Sequence, residues 1–246
     1  MTYELGFDGK TVLVVGGSSG IGNAIARAFL DKGARVHVWG TRPCAEDYSD
    51  SKDSNLEGLH YKQVDVSSPE AIRECKPGFS QLDTLVLSQG IVLYNRAEFQ
   101  PDRFRQVVDV NLNSLMECCF RFHPLLKESQ GSIIVISSTA AFHATRGNPA
   151  YGAAKTGAMG LCRSLGDAWA PDGIRVNSIA PGMVPTKMTE VTTQNPKRVQ
   201  AWEAQIPLGR LGKTSDIAGV ALFLASPLAA YVVGQTIAVD GGLTIR

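Results

Sequence analysis

The chain has 246 residues, 44% hydrophobic and 19% charged, with a net charge of +1. That apolar fraction suits one unit with a sizeable core, and scattered Lys and Arg argue against a nucleic-acid or polyphosphate surface. Five cysteines at unrelated spacings and no histidine pair at ligand spacing argue against a disulfide framework or a zinc site, so no metal is expected. Met1-Thr2-Tyr3-Glu4 lacks the basic start of a signal peptide, and no apolar run reaches the roughly 18 residues of a membrane span, so a cytoplasmic protein away from membranes is expected.

Residues 11–15 are a β-branched run ending in Gly16-Gly17-Ser18-Ser19-Gly20-Ile21-Gly22, and a helical pattern follows with Ile21, Ile25, Ala28 and Phe29 on one side. Strand, glycine turn and helix in that order put backbone amides and a positive dipole end where a pyrophosphate can bind. The spacing Gly-x3-Gly-x-Gly differs from the Gly-x-Gly-x-x-Gly fingerprint of other dinucleotide folds, and a tight structural turn is the competing reading. Gly33 closes the helix and residues 35–39 read as a second strand. Its tip, Gly40-Thr41-Arg42, has no carboxylate for ribose hydroxyls but a guanidinium suited to a 2′-phosphate, so NADP is expected, with NAD as the alternative.

Residues 43–58 are polar and turn-rich and read as a mobile loop. A strand at 59–64 leads to Asp65, a helix at 68–78 is capped by Ser67 or Ser68, and a strand at 82–88 ends at Ser88-Gln89-Gly90. The pattern at 101–128 predicts one long helix, apolar on two sides and therefore in need of two partners, with Asn111 in its middle. A strand at 131–136 then delivers Ser137-Ser138.

With Pro149 opening a helix behind an Asn148 cap, Tyr151 and Lys155 stand four apart on one face. An ammonium about 4 Å from a phenolate, at an effective dielectric near 20, is worth roughly 4 kcal/mol. That could lower a tyrosine pKa by up to ~3 units. Tyr151 could then exchange a proton with a carbonyl or alcohol oxygen that Ser138 also bonds. Taken alone, Tyr-x3-Lys is common by chance, and a core tyrosine beside a solvated lysine is the bland reading. The helix continues with Ala153, Ala154, Gly157, Ala158 and Gly160, small residues that permit close approach. A strand at 174–179 ends in Ala180-Pro181-Gly182, and residues 183–206, without strong period, are expected to form a substrate lid. A helix at 216–225 and a strand at 235–239 precede Asp240-Gly241-Gly242.

Strands alternating with helices imply an α/β fold: a Rossmann-type doubly wound parallel sheet of about seven strands flanked by helices, in a single domain over residues 1–246. In that order the chain resembles the short-chain dehydrogenase/reductase family over essentially its full length. The resemblance rests on Gly16-x3-Gly20-x-Gly22, Asn111, Ser138, Tyr151-x3-Lys155, Pro181-Gly182 and Asp240-Gly241-Gly242. It implies an oxidoreductase moving a hydride between NADP(H) and a ketone or secondary alcohol, or NAD-linked alcohol oxidation as the alternative. Tyr151 would be the general acid/base, Ser138 would orient the carbonyl, Lys155 would bind the nicotinamide ribose and lower the tyrosine pKa, and Asn111 would support a water in a proton relay. It also implies cofactor contacts from Gly16, Ser18, Ser19, Gly20, Ile21 and Gly22 in the turn. Further contacts would come from Arg42, Asp65, Val66 and Gly90 after the next three strands, and from Tyr151, Lys155, Pro181, Gly182, Val184 and Thr186.

Three features depart from the family: Val15 stands for a threonine, Leu87-Ser88-Gln89-Gly90 for Asn-Asn-Ala-Gly, and Ser19 for a basic residue frequent in NADP-preferring relatives. A cofactor-sensing protein without turnover would have lost a member of the Asn, Ser, Tyr, Lys set, and all four are present. Leu93, Tyr94, Phe142, Met183, Val184 and Trp202 suit an apolar small-molecule carbonyl or alcohol substrate. The two-sided helix and the small-residue helix point to a homo-oligomer, a tetramer, and the resemblance implies the same helices as its interface.

Overall fold

The structure, a computed structural model, describes residues 5–245. The reading of residues 1–4 as carrying no leader peptide lies outside the described residues. Seven strands, β1 (Thr11–Val15), β2 (Arg35–Gly40), β3 (His60–Gln63), β4 (Thr84–Leu87), β5 (Ser132–Ile136), β6 (Arg175–Pro181) and β7 (Thr236–Val239), form one sheet. All pairs are parallel, in the order β3-β2-β1-β4-β5-β6-β7. The chain winds outward from β1 to β3, then returns past β1 to β4. Beyond the carboxyl ends of β1 and β4 that reversal opens the crevice in which such sheets bind ligands.

Every residue of β1, β4 and β5 is buried, because helices cover both faces of the sheet. Alternate side chains serve alternate layers. Leu13, Val15, Leu85 and Leu87 pack with Phe122 and Leu126 of α4 (Ser114–Ser129) and Cys162 of α5 (Pro149–Trp169). Val12, Val14 and Val86 pack with Ile25 and Phe29 of α1 (Gly20–Leu30) and Ala221 and Leu224 of α8 (Thr214–Ala225). No helix among the described residues is long and apolar enough to cross a membrane.

Four segments differ from the sequence reading. The helix expected at 101–128 is α3 (Pro101–Val108), a π-helical turn (Asp109–Asn113) and α4. Its cause is local: Asn111 Nδ2 donates to the Val107 carbonyl and Ser114 Oγ to the Val110 carbonyl, so side chains take bonds that an α-helix gives to backbone amides. The helix expected at 68–78 shortens to α2 (Pro69–Glu74), capped by Ser68, whose hydroxyl accepts from the Ala71 amide; Pro77 bars its extension. Residues 183–206, read as without strong period, carry a 3₁₀ turn (Lys187–Thr189), α6 (Glu190–Thr193) and α7 (Pro196–Glu203).

The fourth difference matters for the site. Residues 43–58 are a bonded segment, not a free loop. Tyr48 is buried in a 3₁₀ turn, Asn55 and Asn23 exchange hydrogen bonds, and Ser54 Oγ donates to the Ser18 carbonyl.

Candidate active site

A cleft of about 300 Å³ lies over the carboxyl ends of the central strands. A larger depression of about 780 Å³ lies at the opposite end of the sheet, where Gly9, Gly33 and Gly78 offer no catalytic chemistry. The cleft begins at the glycine turn. Gly16 (φ +73°) and Gly20 (φ +58°) hold left-handed conformations, and a Cβ on Gly22 would stand 2.2 Å from the Gly16 carbonyl oxygen. The close turn aims the first amides of α1 into the cleft, and Ser19 gives them no side-chain cap, which leaves a dipole end suited to an anion.

Of the expected cofactor contacts, Gly16, Ser18, Ser19, Gly20, Ile21, Gly22, Val66, Gly90, Tyr151, Lys155, Pro181, Gly182, Val184 and Thr186 line this one cleft. Two do not. The Asp65 carboxylate accepts from the Ser67 amide and hydroxyl, which makes it a turn residue in this structure. Arg42 stands at the tip of β2, but its guanidinium lies 4.5 Å from the Tyr48 ring centroid and donates to the Asp47 carbonyl.

The polar segment supplies lining that the sequence reading missed. Asp53 enters the cleft, where its carbonyl accepts from the Gly20 amide at 2.8 Å and its carboxylate from the Lys187 amide at 3.4 Å. The Tyr48 hydroxyl accepts from the Thr41 and Arg42 amides, both at 3.2 Å. Turn-rich composition marked this stretch as a loop, and nothing in its spacing told where the loop docks. Gln89, which replaces a small residue in the family motif, donates to Ser114 Oγ while its own Oε1 has no partner among the described residues.

At the other end of the cleft, β5 and α5 are stitched together: Ser137 Oγ donates to the Lys155 carbonyl at 3.0 Å, and Lys155 Nζ donates to the Ile136 carbonyl at 2.8 Å. Lys155 Nζ lies 5.7 Å from the Tyr151 ring centroid. Burial pulls the Lys155 ammonium down to about 8. Burial likewise pushes the Tyr151 phenol up; the Ser138 hydrogen bond opposes this, and Tyr94 and Glu98 reinforce it. The expected depression of the tyrosine by its lysine is therefore absent from this structure. The ammonium serves a backbone carbonyl, and a buried phenol loses more by desolvation than Ser138 returns.

Asn111 lies beneath the cleft, fully buried, bonded through Nδ2 to the Ile91 carbonyl and through Oδ1 to the Ile91 amide. A Cβ on Gly90 would meet Asn111 Oδ1 at 2.7 Å, so Gly90 lets the asparagine reach the floor of the site. The apolar pocket is smaller than expected. Among its six expected residues only Val184 lines the cleft, while Phe142 is 46% exposed and lines a separate depression with Met159 and Arg163. Phe142 follows a 3₁₀ turn (Thr139–Ala141) started by Ser138, whose Oγ caps the Ala140 amide, and that turn swings it outward. Tyr94 instead donates to the Met188 carbonyl and ties the segment after β4 to the segment after β6.

A family model described as enoyl-(acyl carrier protein) reductase matches residues 15–244. The chain belongs to the short-chain dehydrogenase/reductase family and is an NAD(P)-dependent oxidoreductase. It is 39% identical to 3-oxoacyl-(acyl-carrier-protein) reductase FabG of Chlamydia pneumoniae, over 96% of this chain and 97% of that protein. It is 38% identical to 2-dehydro-3-deoxy-D-gluconate 5-dehydrogenase of Bacillus subtilis, over 97% of this chain and 96% of that one. A solved structure of a putative 2-deoxy-D-gluconate 3-dehydrogenase from Agrobacterium tumefaciens with bound NADP superposes with a TM-score of 0.88, 34% identity and full coverage of both chains.

Proposed function

We propose that this protein is a single-domain NADP(H)-dependent reductase or dehydrogenase acting on a small ketone or secondary alcohol, with Tyr151 as general acid/base. The observation that carries this reading is that Tyr151, Ser138 and Lys155 line the same cleft as the glycine turn. When bound, the dinucleotide supplies or accepts the hydride. The glycine turn and the first amides of α1 would hold its pyrophosphate, and Lys155 and Tyr151 would face its nicotinamide end. In the reducing direction the protonated Tyr151 hydroxyl gives its proton to the carbonyl oxygen, and Ser138 hydrogen-bonds that oxygen as charge gathers on it. The upward push on Tyr151 keeps this acid protonated at neutral pH. Residues 183–206 would form the lid, with Met188 and Thr189 at the cleft edge.

The bound NADP in a close structural relative and Arg42 at the β2 tip support NADP. One observation favours NAD: the Arg42 side chain is engaged by Tyr48 and Asp47 and stands outside the cleft. A homotetramer is part of the proposal, because Phe104, Met116 and Phe120 leave an apolar face exposed along α3 and α4.

Tyr151→Phe tests the mechanism. It should keep cofactor binding and lose at least about a hundredfold in turnover on a responsive ketone; near-normal turnover would remove Tyr151 from the chemistry.

A further inference from the structure

Glu98 is the one carboxylate among the described residues that is fully buried, at 0% exposure, and no Lys, Arg or His forms an ion pair with it. A buried charge without a counter-ion is costly unless its oxygens are fully hydrogen-bonded. Here they are: Oε1 accepts from the Leu93 amide at 3.0 Å and from Asn148 Nδ2 at 3.2 Å, and Oε2 from the Tyr151 amide at 2.9 Å. The last bond is the informative one. The Tyr151 amide lies in the first turn of α5, where no intrahelical acceptor exists, and Asn148 provides no side-chain cap. A carboxylate from a segment 53 residues earlier in the chain does so instead.

Delivering it requires an unusual backbone. Asn95 (φ 57°) and Arg96 (φ 59°) are consecutive non-glycine residues in the left-handed region, immediately before the 3₁₀ turn that carries Glu98 (Ala97–Phe99). Such residues cost about 1–3 kcal/mol each and persist where the surroundings enforce them. The same segment holds Asn148 through the Leu93 carbonyl and the lid region through Tyr94.

We propose that Glu98 is a positioning residue for Tyr151: its buried carboxylate, bonded to the Tyr151 amide and to Asn148, fixes the first turn of α5 and with it the place of the phenol. The proposal rests on Tyr151 as the acid/base. The groups that face that phenol are Lys155 from one turn further along α5, Ser138 from the end of β5, and Tyr94 and Glu98 from the segment after β4. Of these, Tyr94 and Glu98 oppose its ionisation.

Glu98→Gln removes the charge and retains the shape. Its amide can accept on one side only, so either the Tyr151 amide or the Leu93 and Asn148 donors lose their partner. Carbonyl reduction should fall about ten- to a hundredfold in kcat, because a charge-assisted bond is lost. The cofactor KM should stay within about twofold, and the alkaline limb of the rate profile should move down by about half a unit or more. Glu98→Asp, which keeps the charge but shortens the reach, should lose kcat while its alkaline limb stays in place. A lowered Tm with normal kcat and an unmoved limb would reduce Glu98 to a structural cap and overturn the proposal. Hydrogen exchange on the unaltered protein keeps the idea testable if both variants misfold: the Tyr151 amide should be strongly protected, and rapid exchange there would sink it. Tyr151→Phe separates the two readings. If it is inactive while Glu98→Gln is normal, only the role of Glu98 fails; if Tyr151→Phe is active, the acid/base assignment fails.

Discussion

Lys155 Nζ donates to the Ile136 carbonyl while lying 5.7 Å from the centre of the Tyr151 ring, so this lysine serves the backbone of β5 before it serves the tyrosine. Its ammonium is held at about 8, against 10.5 for the unperturbed group. Between these values the unfolded chain binds the extra proton, so this group makes stability rise with pH, by at most about 1.4 kcal/mol per unit. Below pH 8 the cost of burying the charge is felt in full. The difference in Tm between wild type and Lys155→Met should therefore move in favour of wild type from pH 8 to pH 10. In kinetics Lys155→Met should raise the cofactor KM and shift the alkaline limb upward, since the only remaining group there is a phenol with a raised pKa. A loss confined to kcat, with the limb unmoved, would contradict both roles.

The glycine turn makes a contrasting pair of predictions. A Cβ at Gly22 would meet backbone atoms of Gly16 and Gly17, at 2.2 Å for the nearest, and neither can turn aside as a side chain can. Gly22→Ala should lower stability by about 1–3 kcal/mol, the usual scale of overpacking, and abolish dinucleotide binding measured by calorimetry. Gly219, exposed in α8, has nothing within 4 Å of its Cβ position. Gly219→Ala should raise stability by about 0.5–1 kcal/mol through helix propensity and leave binding alone. Equal Tm changes in the two would refute the reading of the turn.

The apolar face of α3 and α4 predicts assembly. Phe120 is 69% exposed, with Phe104 and Met116 exposed beside it. Light scattering at micromolar concentration should give about four times 26.3 kDa, and Phe120→Glu should dissociate the assembly by burying a charge at its interface. The small residues of α5 are partly explained within one chain: a Cβ on Gly157 would meet Leu112 at 2.7 Å, so this glycine lets α5 pack against the π-helical turn. A monomeric mass for the wild type would leave the exposed face without its expected partner.

What the sequence made legible follows from where its signals are local. The central strands are readable from short apolar runs, β3 only from the Leu59 and Val64 that flank its polar His60–Gln63, and Ser138, Tyr151 and Lys155 from fixed spacings on elements whose order fixes their position. Contacts that depend on a loop's path were not readable. Asp53 reaches Gly20, and Glu98 reaches Tyr151, across chain separations that no periodicity encodes. The tyrosine pKa is illegible in the sequence for a related reason: the spacing of Tyr151 and Lys155 fixes a shared helix face, but the acceptor of the ammonium, Ile136, comes from a neighbouring strand. Phe142 failed as a pocket residue because the capped turn before it faces outward.

Cofactor choice turns on Arg42. A guanidinium over a ring gains about 0.5–1 kcal/mol at an exposed site and about 2 kcal/mol against a desolvated one, such as the buried Tyr48, whereas charge-assisted bonds to a 2′-phosphate contribute about 1.5–3 kcal/mol each. The phosphate should win Arg42 from Tyr48, and its arrival should be seen as a change in tyrosine fluorescence that NADH does not produce. Arg42→Ala should then weaken NADPH about ten- to a hundredfold and leave NADH nearly unchanged. The reverse switch is harder than the bare β2 tip suggests. A Cβ on Gly40 would stand 2.7 Å from both Ser18 Oγ and the Tyr48 hydroxyl, so Gly40→Asp alone should weaken both cofactors. Combined with Tyr48→Ala, which opens the space, it should favour NADH, because the carboxylate bonds ribose hydroxyls and repels a phosphate. If the wild type already prefers NADH, and Arg42→Ala changes neither kcat/KM, then Arg42 belongs to the Tyr48 turn alone and NAD is the cofactor.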